Sequence, residues 1–430
     1  MTSQELICKR IKEVRRKRGL SQAQLAHPEL SDSYISLIES GSRTPTPAVL
    51  ELLASKLGCS VSYLLNGVSA EETEELELSL RYARMALENG ETEEARGRYV
   101  ELLSDENLTA LPTLRQEAQF GLALAQEACG DLGEAIPALI HLQETAGEEL
   151  PSERRVAITI ALTRCYRDYG ELGLAVEIAE RALADMIGQG WTDDLVELGA
   201  TLLAAYFERG DLLRAQHFSI ELMTAAEALG SPRAIVAANW NAATTAHLSG
   251  RGEDAVPLAE RALAVQSETG EPRNLARLRN LYALLRLRNR PDESAVCRDI
   301  LLRTQQELQE SSASTLDLAR CLQALAYAEI NLGHVERAAD YCHKSLELLD
   351  ETSPDLRADT LVLLGQAKLL LGAENDAAAE VKAAIELLED EPRSRMTAES
   401  WLMAAAVLEG LGDQEGSAMA YGRAMACGGL

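Results

Sequence analysis

The feature that most restricts how this chain can fold is a short signature that returns about every 40 residues. It reads NGETEEA at 89–95, CGDLGEA at 129–135, YGELGLA at 169–175, RGDLLRA at 209–215 and SGRGEDA at 249–255. It continues as NRPDESA (289–295), LGHVERA (332–338), LGAENDA (371–377) and LGDQEGS (411–417). Glycines 90, 130, 170, 210 and 250 keep a 40-residue step, Arg290 holds the register, and glycines 333, 372 and 412 drift by only a few residues. Each signature follows an Ala/Leu-rich stretch, so the glycine is expected in the left-handed C-cap of a helix. Acidic residues follow, where the dipole of the next helix favours negative charge. An alanine five residues after the glycine lets two helices approach closely, and a small residue often recurs seven further on (Ala182, Ala262, Ala384, Ala424). The unit is therefore an antiparallel helix pair. About nine in series predict an α-solenoid, in which each pair buries its apolar face against its neighbours.

Residues 1–66 stand outside this repeat and differ in charge. They carry nine Lys/Arg against six Asp/Glu, a net of +3, while the other 364 residues carry 32 against 62, a net of −30. Seven of the nine basic residues fall within KRIKEVRRKR (9–18). A basic head on an acidic body implies two separate jobs, because the body repels nucleic acid and only the head can approach phosphate. No apolar run reaches the roughly 18–20 residues a membrane span needs, and MTSQELICKR has no apolar leader region. The eight cysteines are scattered without CxxC or Cys/His metal spacing, which fits small apolar residues in a reducing cytoplasm. No GxSxG, phosphate-cradling glycine loop or HExxH occurs, so no catalytic residues, cofactor or metal are expected.

The head is expected to be five short helices. The first runs from about Gln4 to Arg18, with Ile7, Ile11 and Val14 as its apolar stripe. Ser21 and Gln24 form a capping box for the second, with Leu20 and Leu25 as a staple. Ser31 caps the third, SDSYISLIES, in which Ile35 and Ile38 face inward and Asp32, Ser33 and Ser36 outward, flanked by Tyr34 and Leu37. Small polar side chains suit a surface that must enter a major groove about 12 Å wide. Gly41 ends this helix, and Arg43 and Thr44 follow in a loop fixed by Pro45 and Pro47. Val49, Leu50, Leu53 and Leu57 of a fourth helix and the segment VSYLL of a fifth complete the core. Two short helices joined tightly in this way are the helix-turn-helix arrangement.

On LSQAQLA (20–26), SDSYISLIESGSRTP (31–45) and AVLELLASKLGCSVSYLL (48–65), residues 6–66 resemble the lambda-repressor-like (Cro/C1, XRE-type) helix-turn-helix family. The resemblance implies that the third helix reads duplex DNA and that two copies bind a two-fold-related operator. By position it implies DNA contacts from Lys9, Arg10, Arg15, Arg16, Ser21, Gln22, Asp32, Ser33, Tyr34, Ser36, Arg43 and Thr44. Gln22 would touch phosphate and buttress the third helix, and Arg43 would touch phosphate from its loop. The turn AHPELS departs from the family in being one residue shorter and in carrying Pro28-Glu29 where a glycine is common. Asp32 either accepts from cytosine N4 or caps its helix.

The body resembles tetratricopeptide repeats, whose period is about 34 residues. In such repeats the first helix of each pair lines the concave side, which here would gather Arg164, Arg167, Trp240, Asn241, Thr244, Arg277, Asn280, Arg320, Tyr327 and Asn331. Phe207, His247, Arg288 and Gln323 fall on the same register, and residues 273–290 alone hold six arginines. These arginines either clamp a ligand's carboxylate and backbone or pair with acidic residues of neighbouring repeats. Trp191 and Trp401 are expected to pack. The layout is similar to peptide-responsive regulators of the RRNPP type (the Rgg, PlcR and PrgX group), which implies a cytoplasmic homodimer whose body (70–430) binds a short signalling peptide or another small molecule, and whose head (1–67) binds operator DNA. A DNA-tethered scaffold holding a protein partner is the alternative. The similar repeats of Rap phosphatases come without a DNA-reading helix.

Overall fold

Polar caps at helix starts and left-handed glycines at helix ends divide this chain into short helices. The computed structural model describes the chain apart from residues 1–2, 147–150, 270–271, 311–314, 350–352, 392–394 and 429–430. The described residues are helices and connecting turns, with no strand among them. They cluster into two compact units, Met1–Ala125 and Gln126–Leu430. No helix among them is long and apolar enough to cross a membrane.

The first unit opens with α1 (Ser3–Lys17), α2 (Gln22–Ala26), α3 (Asp32–Glu39), α4 (Pro47–Leu57) and α5 (Val61–Asn66). Ser21 accepts from the Gln24 N–H at 3.0 Å while the Gln24 side chain accepts from the Ser21 N–H at 2.8 Å, closing the capping box. Ser31 and Ser60 cap α3 and α5 by accepting from the Tyr34 and Tyr63 N–H groups. Pro47 takes the first helical position of α4, where its missing N–H is not needed. Ile11, Leu25, Ile35, Ile38, Leu53, Leu57 and Leu64 are fully buried in one core, with Ile7, Val14 and Val49 packed at its edge. The apolar stripes read from the sequence are thus the faces that meet.

Nine successive pairs of helices, each pair joined by a short turn, follow among the described residues. They are α6 (Ala70–Glu88) with α7 (Thr92–Ser104), α8 (Pro112–Cys129) with α9 (Leu132–Ala146), and α10 (Ser152–Asp168) with α11 (Leu172–Met186). Next come α12 (Asp193–Arg209) with α13 (Leu212–Leu229), α14 (Pro232–Leu248) with α15 (Gly252–Thr269), and α16 (Pro272–Asn289) with α17 (Ser294–Glu310). The last three are α18 (Thr315–Asn331) with α19 (Val335–Leu348), α20 (Pro354–Leu370) with α21 (Glu374–Asp390), and α22 (Arg395–Gly410) with α23 (Gln414–Gly428). The turn between partners is the same in eight of the nine. In the third pair Gly170 has φ +89°, its N–H donates to the Arg167 carbonyl at 3.0 Å, and the Glu171 N–H donates to the Tyr166 carbonyl at 2.8 Å. This is a Schellman motif, which satisfies carbonyls that the helix end leaves open.

The alanine five residues on is buried in nearly every pair (Ala95, Ala135, Ala175, Ala215, Ala255, Ala338, Ala377). The sixth pair differs. Arg290 has φ −136°, and a single 3-10 turn, Pro291–Glu293, carries the chain into α17. Ala295 is exposed and Ser294 is buried in its place, its hydroxyl donating to the Pro291 carbonyl at 2.6 Å. Without a left-handed residue the turn tightens, and the inward register moves back by one. Stacking joins the pairs: α10, α12 and α14 pack in order, as do α16, α18, α20 and α22. Trp401 is buried in the core of the last pairs, and Trp191 packs against that of the third to fifth.

Two glycines serve different needs. Nothing approaches the Gly170 position within 4 Å, so only its backbone conformation resists a side chain. A Cβ at Gly365 would lie 2.7 Å from Val381 Cγ2 and 3.3 Å from the Ala377 carbonyl oxygen, where α20 crosses α21. Gly170→Ala should cost about 1–2 kcal/mol, and Gly170→Asn less, because Asn tolerates the left-handed region. Gly365→Ala should cost about 1–3 kcal/mol through overpacking, and Gly365→Asn more. Amide-exchange protection of the affected pairs checks the opposite order of Ala and Asn at the two sites.

Candidate nucleic-acid interface

The outward face of α3 is set by what its inward face must do. Ile35 and Ile38 are buried in the head core, and Glu39 is buried beside them. Asp32, Ser33, Ser36 and Leu37 are exposed, and Tyr34 is half-buried. The Arg43 guanidinium lies 4.8 Å from the centroid of the Tyr34 ring, a cation–π distance. Its backbone N–H donates to the Leu37 carbonyl at 3.2 Å, which ties the loop back onto α3. Ser33, Ser36 and Arg43 thus share one exposed surface. The Thr44 hydroxyl, also exposed, accepts from the Gln4 side chain of α1.

Glu39 holds this surface in place. Arg15 of α1 donates to Glu39 through Nε at 2.5 Å and Nη2 at 2.8 Å, with the two side chains only 10% and 2% exposed. Gln22 of α2 donates to the same carboxylate at 2.8 Å, and Arg15 also donates to the Leu20 carbonyl at 2.7 Å. One carboxylate therefore joins α1, α2 and α3. Burial pushes the Glu39 carboxyl up, but hydrogen bonds from Arg15 and Gln22 and the charges of Arg15 and Lys12 outweigh it, so the group sits below its ordinary range. The α2–α3 turn has a second tie. Lys56 of α4 donates to the carbonyls of Leu25, Ala26 and His27 at 3.1, 3.1 and 2.7 Å and pairs with Glu29 at 2.5 Å. An ammonium thereby closes the helix end where related turns carry a glycine.

These contacts engage two of the expected phosphate ligands within the head itself. Arg15 is consumed by Glu39, and Arg10 donates to the Leu64 and Leu65 carbonyls at the end of α5. Lys9 and Arg16 stay exposed, Lys9 lying 3.8 Å from Glu13. Gln22 faces the buried carboxylate, Ser21 is engaged in its capping box, and Asp32 lies 3.3 Å from His27 Nε2. The roles of Glu39 and Lys56 were missed from sequence. The signal for Glu39 was its position four residues after Ile35, on the inward side of α3.

The expected ligand-holding side chains of the second unit are mostly engaged with the protein. Arg164 makes a two-pronged contact with Glu127 at 2.6 and 2.9 Å, Arg167 contacts Asp168, and Arg277 binds both oxygens of Asp317 at 2.8 Å. Arg164 and Arg277 are thus each paired with an acidic residue of another helix. Trp240 packs against the cluster of Ala243, Val256 and Tyr282, and the Thr244 hydroxyl donates to the Trp240 carbonyl at 3.1 Å. Asn241 lines a surface cleft of about 780 Å³ with Glu197, Thr201, Ser231 and Arg233, although Arg233 itself pairs with Asp194 and Glu197. Asn331 donates to the Ser294 hydroxyl at 3.1 Å, and Tyr327 packs between two core clusters. Asn280 is buried with its Oδ1 unpartnered, and Arg320 is exposed one turn beyond Asp317. The side chain of Arg273 lies outside the described residues. Among the described residues no group of three or more His, Cys, Asp or Glu could hold a metal ion.

Residues 11–64 match the family model of the helix-turn-helix, HTH_3, so an XRE-type helix-turn-helix domain stands at the N-terminal end. No curated protein matches the chain in sequence. Among solved structures, the apo form of RapI is similar at 14% identity and TM-score 0.50, over 82% of this chain and 97% of that one. A Rap protein complexed with Competence and Sporulation Factor is similar at 12% identity and TM-score 0.51, over 82% and 98%. Bacillus thuringiensis PlcR, in complex with the peptide PapR7 and DNA, aligns at 15% identity over 81% of this chain and 100% of that one, with a TM-score of 0.30. The Rap likeness is one of fold: an all-α chain of TPR-like helix pairs.

Removing Glu39 strands a buried guanidinium, so Glu39→Ala should cost about 3–5 kcal/mol, read as lost amide-exchange protection in α1 and α3. The carboxyl is held below its ordinary value of 4.5, so its contribution is complete above that pH and is lost as pH falls through its lower folded value. Protection factors of α3 should therefore drop on the acid side of pH 4.5. Glu39→Gln should flatten that dependence.

Proposed function

We propose that this protein is a sequence-specific DNA-binding transcriptional regulator that binds its operator as a homodimer. Residues 1–67 would be the DNA-reading part and 70–430 the part that dimerises and binds an effector. The observation that supports this most is the exposed polar face of α3, bordered by Arg43 and braced from behind by Glu39. Phosphate contacts from Lys9, Arg16 and Arg43 supply affinity, and Ser33, Ser36, Tyr34 and Asp32 supply sequence preference. The net charge of +3 on residues 1–66, against −30 on the rest, directs DNA to this face alone.

The effector is a short peptide or another small molecule, held by the first helices of the middle pairs. With Arg164 and Arg277 engaged in ion pairs, Asn280 and Arg320 carry the polar recognition. They sit one turn beyond Arg277 and Asp317, the pair that joins α16 to α18. The Rap protein of similar fold was solved with Competence and Sporulation Factor, which makes a signalling factor a reasonable first effector to test. Binding that changes the geometry of the dimer changes the spacing of the two α3 helices, and half-sites at fixed helical spacing then lose or gain fit.

Arg43→Ala should weaken binding to all duplexes and reduce the slope of log affinity against log salt by about 0.9, one phosphate contact. Ser36→Ala should shift the preferred sequence with little change in salt slope. Titrations of the full-length protein with operator and random duplexes at several salt concentrations separate the two effects. If neither substitution alters binding, α3 is not the element that enters the groove. Native mass spectrometry of freshly purified protein, with and without operator, should report two chains per duplex and any retained effector mass. A stoichiometric folded protein partner in its place would favour a DNA-tethered scaffold.

A further inference from the structure

Four first helices of the second unit carry polar side chains that meet although they lie far apart in sequence. Arg288, in the last turn of α16, donates to Glu399 of α22, 111 residues away. Beside Arg288, Asn289 donates to the Leu285 carbonyl at 2.7 Å and lies 3.2 Å from Nδ1 of His247 on α14. Beside Glu399, the Ser400 hydroxyl donates to Asp359 Oδ1 of α20 at 2.5 Å. Adjacent residues on α16 and on α22 thus join the fifth, sixth, eighth and ninth pairs in one network.

The packing order makes the Arg288–Glu399 contact informative. Helix α16 packs on α18, α18 on α20, and α20 on α22. Packed helices stand about 8–10 Å apart, so a straight row would place α16 and α22 about 24–30 Å from each other. One arginine and one glutamate side chain are too short to bridge that span. The row must bend towards the side on which they meet, and the ion pair lies inside the bend. The surrounding side chains are half-buried or buried. Burial pushes the Asp359 carboxyl up to about 6, against the Ser400 hydroxyl and the Arg288 charge, with Asp355 and Glu399 raising it further. Burial also lowers His247. Arg288 and Glu399 are 21% and 34% exposed, so their attraction is only partly screened.

We propose that the Arg288–Glu399 pair is a clasp that sets the curvature of the sixth to ninth helix pairs, and that releasing it lets α16 and α22 part. Neighbouring pairs are held by contact between their helices, which leaves each step of the row little freedom. Small rotations at three successive steps still add up over α16 to α22. A tie between the two ends removes that freedom at a single point. A charged group entering this side competes for one partner or the other, so the clasp can be opened without disturbing a core. The inference concerns the body alone and holds whatever the head binds.

The test uses the full-length protein and the variants Arg288→Gln, Glu399→Gln and the exchange Arg288→Glu/Glu399→Arg, with small-angle scattering and amide exchange as readouts. Each single variant should enlarge the radius of gyration and speed exchange in α16 and α22 roughly tenfold, and the exchange variant should return both towards the unmodified protein. Single variants that match the unmodified protein in both readouts overturn the clasp. So does an exchange variant that stays as expanded as the singles. Should a single variant fail to fold by circular dichroism, scattering of the unmodified protein from about 0.1 to about 1 M salt decides, because screening weakens an ion pair. Expansion with salt supports the clasp, and a constant radius overturns it.

Discussion

The head of this protein depends on one buried carboxylate. Glu39 receives Arg15 from α1 and Gln22 from α2 while sitting at the end of α3, so three helices are oriented by a single acceptor. A buried ion pair seldom adds net stability over a hydrophobic replacement, because desolvation offsets the Coulomb attraction. What it supplies here is direction. Apolar packing of Ile35 and Ile38 would tolerate α3 sliding or turning by a few degrees, whereas a two-pronged guanidinium–carboxylate contact does not. The small polar face on the other side of α3 is presented at a defined angle for that reason. Lys56 does the same for the turn before α3 by capturing three carbonyls at the end of α2.

The body rests on a different constraint, repeated rather than single. A left-handed glycine closes eight of the nine helix pairs with two backbone hydrogen bonds, and in seven of these a buried alanine five residues on lets the returning helix lie close. Because these devices are local, the repeat could be read from the chain before any contact was known. The sixth pair shows the rule by breaking it: with arginine at the glycine position the turn becomes 3-10 and the buried register moves to Ser294. Caps were equally legible, since Ser21, Ser31 and Ser60 each bond a backbone N–H three residues on, a relation the sequence displays directly.

Charged side chains were less legible, and for a physical reason. Arg10, Arg15 and Arg16 look alike within KRIKEVRRKR, yet Arg10 and Arg15 are consumed by α5 and Glu39 while Arg16 remains exposed. The difference is set by partners between 24 and 55 residues away. Arg164 and Arg277 were placed on the expected helices, but each found an acidic partner on a neighbouring helix, a choice that periodicity does not specify. The Arg288–Glu399 contact, across 111 residues, is the extreme case. Pattern reveals which face a residue occupies; stacking decides what it meets there.

Two chemistries are thus kept apart in one chain: a small cationic group of helices with a polar edge, and a long anionic series of pairs. The account stands on the first of these selecting particular duplex sequences. Repeated selection of the full-length protein on a random duplex library at modest salt, followed by sequencing of the bound fraction, tests it most directly. The account predicts enrichment of one motif with two-fold-related halves, abolished when the exposed residues of α3 are replaced. Bound duplexes as random as the input library would contradict it.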